Sequence, residues 1–332
     1  MEKEYVFITG GTGFIGMNIA CLLLNKGYNV ILYARKPPAD IFTREFEKLP
    51  GKIYFEQGDV LDQEKIEKVI QKYRVSYFIH GAAITPDRTM EENNPTSIIE
   101  VNCLGLLKAV LAAKNQHVKR FIYLGSISAY GETAFQEKKL SEESSIGTPK
   151  SLYEISKYAG EKILLRLKEL YIIDAVIARI GDVYGPWERY TGVRGHMSLI
   201  YQLTQKAISG EHAVLPRPCC QDWVCGIDIA DAAVRLMEAE ILRYDSYPLC
   251  SGRQWSLLEW CELLKKRYPD FSYSLASIPE EATIQVNQTM DNAAMSLDRL
   301  YEDTGFVPAA DTPEKGFECY MKWLSSHPDF LV

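Results

Sequence analysis

The 332-residue sequence lacks several features that mark whole classes of protein. No apolar run is long enough to cross a bilayer, so no membrane partner is expected. The start, Met1-Glu2-Lys3-Glu4, has neither the basic stretch nor the apolar core of a signal peptide. A strand that a nucleotide site would need follows it at once. Positive charge is in deficit, with 37 Lys and Arg against 44 Asp and Glu and a net charge of -7. That balance argues against a nucleic-acid partner, although a local basic pocket for an anionic small molecule stays compatible with it. The eight cysteines are scattered. Cys219, Cys220 and Cys225 cluster without the spacing or the histidine pairs of a metal site. No metal is expected, and free thiols fit a reducing cytoplasm. There is also no internal repeat, low-complexity tract or evident linker.

What is present is an alternation of strand-like and helix-like segments. Tyr5–Thr9 is a short apolar run that breaks at glycines. Phe14–Asn25 carries Ile15, Ile19, Leu22 and Leu23 at helical spacing and stops at Gly27. Strands are expected at 30–33, 53–55, 77–79, 121–124 and 175–178. Helices are expected at 62–73 (Asp62 as N-cap), 96–115 and 152–170. This order builds a doubly wound parallel sheet with helices on both faces, an α/β Rossmann architecture whose ligands lie at the carboxyl ends of the strands. The rhythm weakens after Gly185. Residues 1–185, with 222–250 returning to them, are read as a dinucleotide-binding domain. Residues 186–221 and 251–332 are read as a smaller substrate-binding lobe.

Between the first strand and first helix lies Thr9-Gly10-Gly11-Thr12-Gly13-Phe14-Ile15-Gly16. Gly10 suits a tight turn, Gly13 lets the backbone approach a pyrophosphate, and Gly16 permits close packing of helix on strand. The helix N-terminus then offers free N–H groups to the phosphates. A lone glycine pattern is weak evidence, but its position after a strand and before a helix is specific. An NAD site expects an acid after the second strand, to bond the adenosine ribose. The sequence there is Tyr33-Ala34-Arg35-Lys36. Arg35 and Lys36 can pair with a 2′-phosphate, so NADP is favoured over NAD; the bland alternative is a solvated turn. Asp59, after the third strand, is placed to meet the adenine end.

Tyr153 and Lys157 are four apart within a helix and so share a face. A free phenol titrates near about 10 and is a poor base at neutral pH. A neighbouring ammonium and an oxidised nicotinamide both favour the phenolate. Tyr153 can therefore accept a proton from a substrate hydroxyl or give one to a carbonyl. Lys157 can also hold the nicotinamide ribose. Ser126 and Ser128 end the fifth strand beside the same crevice. One of them is expected to bond the reacting oxygen, and for Ser128 a local turn bond is the better account.

These motifs together resemble the extended short-chain dehydrogenase/reductases of the NAD-dependent epimerase/dehydratase group. The resemblance spans nearly the whole chain. It rests on Thr9–Gly16, Asp59-Val60, His80-Gly81-Ala82-Ala83, Asn102, Ser126 through Gly131, Tyr153–Lys157 with Gly160-Glu161, Arg179 through Pro186, and Asp222-Trp223-Val224 with Asp228. It implies a Ser126–Tyr153–Lys157 catalytic set. It also implies a cofactor site using Gly10, Gly13, Phe14, Ile15, Gly16, Val60, Ala82, Ala83 and Asn102, and a homodimer joined through 96–115 and 152–170. Three departures narrow the expectation. Ala34 replaces the usual acid, which supports NADP. Ile127-Ser128 replaces the Asp-Glu pair of the dehydratases, which disfavours dehydration. Gln221 stands where many nucleotide-sugar enzymes keep a phosphate-binding arginine, with Arg217 as the nearest substitute.

The segment from Tyr184 to His196 runs past the substrate cavity in this family. Arg189 and Arg194 have the fork to hold a carboxylate or phosphate of an anionic small-molecule substrate. His196 can orient a substrate oxygen, and with Ser128 these are the candidate substrate ligands. Two enzymatic readings remain: net hydride transfer between NADP(H) or NAD(H) and a hydroxylated small molecule, or epimerisation with a captive cofactor. A non-catalytic dinucleotide sensor is the reading from another class, and it would not need to keep Ser126, Tyr153 and Lys157.

Overall fold

A computed structural model describes residues 4–190, 192, 196–286 and 290–330. Seven parallel strands form its central sheet. Their spatial order is Ser246–Leu249, Ala175–Ile180, Arg120–Ser126, Tyr77–His80, Tyr5–Thr9, Asn29–Ala34 and Ile53–Gln57. The chain starts in the interior of the sheet, builds outward to one edge, then crosses back and builds to the other. The crevice where that direction reverses lies at the carboxyl ends of Tyr5–Thr9 and Tyr77–His80.

Each face buries its own apolar layer. Helices Phe14–Asn25 and Gly226–Glu238 cover one face, with Met17, Leu23, Ile229 and Leu236 against Ile8, Leu32 and Val176. Helices Gln63–Tyr73, Gly105–Asn115 and Leu152–Tyr171 cover the other, with Ile66, Leu106 and Leu164 against Phe7, Ile31 and Phe121. Burial on both faces explains why the strands read as continuous apolar runs. Asp62 caps its helix by accepting from Lys65 N at 3.0 Å.

The stretch expected as one helix over 96–115 is divided. Pro95–Ile99 and Gly105–Asn115 are α-helical, and Glu100–Leu104 between them is a π turn. The wide turn is stabilised by a contact that periodicity cannot reveal. It buries Asn102 against the chain leaving the fourth strand and against helix Leu152–Tyr171. By length and composition, Pro95–Asn115 is also apolar enough to cross a membrane, contrary to the reading of the bare sequence. Its Leu106, Ala109, Val110, Ala112 and Ala113 pack on neighbouring helices and the sheet, while Ile99 and Leu104 are exposed.

Beyond the sheet, helices Leu199–Ile208, Leu257–Arg267 and Pro313–Ser326 enclose a separate apolar cluster around Trp255, Trp260 and Tyr320. Buried Asp222 ties this region to the sheet. Its carboxylate accepts from Ser251 N and Oγ (2.8 and 2.7 Å), Gly252 N (3.1 Å) and Met295 N (3.1 Å). Asp228 does the same for Ala309 N and Ala310 N.

Candidate active site

A cleft of about 680 Å³ opens at the carboxyl end of the sheet and is closed from above by residues of the second apolar cluster. Its floor is the glycine-rich loop. Gly10 has φ +66°, and a Cβ there would lie 2.8 Å from the backbone of Gly81 and Ala82. A Cβ on Gly16 would fall 2.6 Å from Gly10 O, so this glycine lets the loop fold back on its own helix. That differs from the helix-on-strand role expected from the spacing. Gly13 is the N-cap of Phe14–Asn25, no side chain caps that helix, and no acid sits in its first turn. The positive end of the helix therefore faces the cleft beside Phe14, Ile15 and Gly16. A loop with no room for a side chain at Gly10 or Gly16, at an uncapped helix, fits the pyrophosphate of a dinucleotide.

The adenosine side follows from the neighbouring strand ends. Gly10 N donates to Tyr33 O at 3.0 Å, so the end of the second strand borders the loop. Ala34 ends that strand, and Arg35 and Lys36 follow it exposed. Asp59 uses one carboxylate oxygen to accept from Leu61 N at 2.9 Å. Val60 is buried under Gly105. Ala83 lines the cleft, while Ala82 touches the loop from below.

Lys157 is buried and donates from Nζ to Leu124 O at 3.0 Å, which pins the ammonium at the end of the fifth strand. It sits 5.2 Å from the Tyr123 ring centre and 5.9 Å from that of Tyr153. Tyr153, Ser126 and Ser128 all line the cleft. Ser126 Oγ accepts from Ser128 N at 3.1 Å, so its own proton stays available for a substrate oxygen. The catalytic helix begins on a capping box at Ser151 and Glu154. That box fixes its first turn, and with it Tyr153.

Several supporting residues were visible in the sequence only as family matches without a role. Arg179 donates twice to buried Glu161 (2.8 and 2.7 Å) and once to Tyr130 Oη (2.7 Å). This brace joins the catalytic helix, the sixth strand and the turn that follows Ser126. Asn102 was expected to touch the cofactor. Its amide instead bonds Ile84 N, Ile84 O and Ser156 Oγ at 2.8 to 3.0 Å, so it positions the loop and the helix. His80 is wholly buried against Thr9 Oγ1 at 2.9 Å. Burial, reinforced by Lys157, pushes its pKa down to about 3 and keeps it neutral.

The substrate side is lined by Thr85, Asp87, Glu91, Asp182, Gln221 and Trp223, none of which the sequence singled out as a substrate ligand. They come from distant segments, and only the fold brings them together. His196 lines the cleft and bonds Gln285 Oε1 at 2.8 Å. Arg189, expected to hold substrate, lies on the glycine-rich loop and donates to Thr12 O at 3.0 Å. Arg194 lies outside the described residues. Arg217, the proposed stand-in for a phosphate arginine, is ion-paired with Asp291 and bonds Met290 O at 2.8 Å.

A parallel Rossmann sheet with a tyrosine–lysine pair beside its dinucleotide loop defines a nicotinamide-dependent enzyme. The chain belongs to the NAD dependent epimerase/dehydratase family, whose model matches residues 6–249. It is 24% identical over 264 residues to a UDP-glucose 4-epimerase of Rhizobium leguminosarum bv. trifolii, covering 76% of this chain and 78% of that one. Among solved structures, the UDP-glucose 4-epimerase of Bifidobacterium longum in complex with NAD+ and UDP superposes with a TM-score of 0.81. That match has 20% identity and covers 98% of this chain and 99% of the other. The UDP-glucuronic acid 4-epimerase of Bacillus cereus, in complex with UDP-glucuronic acid and NAD, gives a TM-score of 0.79. There the identity is 19%, with coverage of 97% and 99%. At these identities the structural likeness establishes the fold.

Proposed function

We propose that the enzyme catalyses net hydride transfer between NADP(H) and a hydroxylated small molecule that carries no nucleotide diphosphate. The observation that carries this reading is the charge of the cleft. Among the described residues lining it, the permanent cations are Arg88, Lys157 and Arg189. Arg88 is exposed and paired with Glu92, Lys157 belongs to the catalytic set, and Arg189 sits on the cofactor loop. The substrate side carries Asp87 and Glu91 instead. A diphosphate there would meet carboxylates, whereas a polyhydroxylated compound finds acceptors for its hydroxyls.

The bound nicotinamide supplies the hydride acceptor or donor. Tyr153 moves the proton at the substrate oxygen, Ser126 holds that oxygen, and Lys157 keeps a positive charge beside the phenol. The exposed Arg35 and Lys36 after Ala34 support the 2′-phosphate preference. The exposed apolar side chains of Ile99, Leu104 and Ile155 support a homodimer through these helices, which light scattering tests.

The decisive assay compares NADP+ reduction on a panel of free sugars, polyols and hydroxy acids with conversion of UDP-glucose to UDP-galactose without added cofactor. Turnover of the panel, and none of the nucleotide sugar, is expected. The epimerase reading draws on the named activities of the relatives. It would be favoured by UDP-galactose formation and by stoichiometric NAD released on denaturation.

A further inference from the structure

We propose that Arg189 is the counter-ion of the cofactor's pyrophosphate, held over the glycine-rich loop by the strained turn that precedes it. The inference rests on the dinucleotide reading of the loop and assigns a residue that the glycine motif does not contain.

The guanidinium is placed by three contacts. Nη2 donates to Thr12 O at 3.0 Å, in the middle of the loop. The group lies 4.0 Å above the ring of Phe42, which follows the second strand. Both Arg189 and the loop glycines Gly10, Gly13 and Gly16 line the same cleft. Nη1 is buried and has no hydrogen-bond partner. Among the described residues no carboxylate pairs with Arg189, whereas most other buried or half-buried cations here have one, as Arg179 has Glu161. Burial alone pushes its pKa down to about 10. A charge withdrawn from water with an unused donor is a group prepared for an anion.

The chain around it is built to keep it there. Trp187 adopts φ +69°, an unfavourable conformation for a bulky residue. Its ring is locked among Phe42, Phe46, Trp323, His327 and Phe330, which come from two separate parts of the chain. Next to it, buried Glu188 accepts from Ser198 N and Oγ, both at 2.6 Å. With 187 and 188 both anchored, Arg189 emerges toward the loop. The uncapped N-terminus of Phe14–Asn25 points into the same space. The anion that both features face in a dinucleotide enzyme is the pyrophosphate, whose oxygens match the guanidinium fork.

The test measures binding, apart from turnover, in Arg189→Gln and Arg189→Lys. NADPH affinity is read by fluorescence, and ADP-ribose and adenosine by calorimetry. The expected result is a loss of roughly 10- to 100-fold for NADPH and ADP-ribose in Arg189→Gln. Adenosine binding should be unchanged and Arg189→Lys intermediate. The salt dependence of NADPH binding should flatten in Arg189→Gln. Because the free enzyme buries this charge without an anion, the melting temperature of apo Arg189→Gln should equal or exceed that of the parent. Unchanged NADPH affinity would overturn the assignment. So would an equal loss for adenosine, or a lowered apo melting temperature in both variants, since either marks a tether of the loop only. Failure of the parent protein to bind any dinucleotide would instead refute the cofactor reading on which the proposal rests.

Discussion

The floor of the cleft and its substrate wall are made of different material. The floor is backbone: the loop around Gly10, Gly13 and Gly16 and an uncapped helix end, set by residues within eight positions of one another. The wall is side chains, with Asp87, Asp182, Gln221 and Trp223 drawn from three segments and held by long-range ties such as Asn292 to Asp182 at 2.9 Å. At Gly10 and Gly16 this floor tolerates no side chain, because a Cβ there collides with main chain. A side-chain wall can be recast one residue at a time without disturbing the cofactor.

The sharpest break of the comparison is at the boundary between the two. Tyr153→Phe should lower kcat by roughly 10²- to 10⁴-fold while leaving NADPH affinity unchanged, because only the proton-transfer group is lost. Steady-state kinetics with parallel cofactor titration checks this, and retained turnover would remove Tyr153 from the mechanism. Next in size is the brace beneath the site. Glu161→Gln leaves the Arg179 charge buried without its partner and should destabilise the fold by about 3–5 kcal/mol. Urea unfolding measures it, and a change under 1 kcal/mol would mean that solvent reaches Arg179 freely.

His80 gives a pH signature. Its folded pKa of about 3 lies below the ordinary 6.5, so the unfolded chain binds a proton that the folded chain refuses. The stability it contributes is present above pH 6.5 and is lost as pH falls toward 3, at up to about 1.4 kcal/mol per unit. Unfolding curves across that range should be steeper for the parent than for His80→Gln; equal slopes would contradict the buried neutral imidazole. The smallest effect belongs to the cofactor's outer end. Ala34→Asp should shift the ratio of NADPH to NADH affinity toward NADH by about tenfold, roughly 1.4 kcal/mol, since the new carboxylate accepts from a ribose hydroxyl and repels a phosphate. An unchanged ratio would show that Arg35 and Lys36 are only a solvated turn.

Much of this molecule is legible in the linear chain. Strands buried on both faces, helices with one apolar stripe and a glycine loop at a strand–helix junction all arise from neighbours in sequence, so short-range spacing records them. The same holds for Tyr153 and Lys157, which one helix turn places together. Arg189 was read as a substrate ligand because its loop runs past the cleft. Its true direction depends on Trp187 packing against the two ends of the chain. The π turn at Glu100–Leu104 escaped because the advantage lies in what Asn102 reaches, not in its own helix.

By itself, then, the sequence determined the cofactor class, the sheet and the pairing of Tyr153 with Lys157, since each is encoded within a few helical or strand periods. Tertiary structure alone decided which charges line the cleft and which are diverted. It drew Arg189 to the loop and Arg217 to Asp291, and set Asp182 in the wall. Such pairings join residues far apart in the chain, where electrostatic partnership depends on distance in space and leaves no periodic trace.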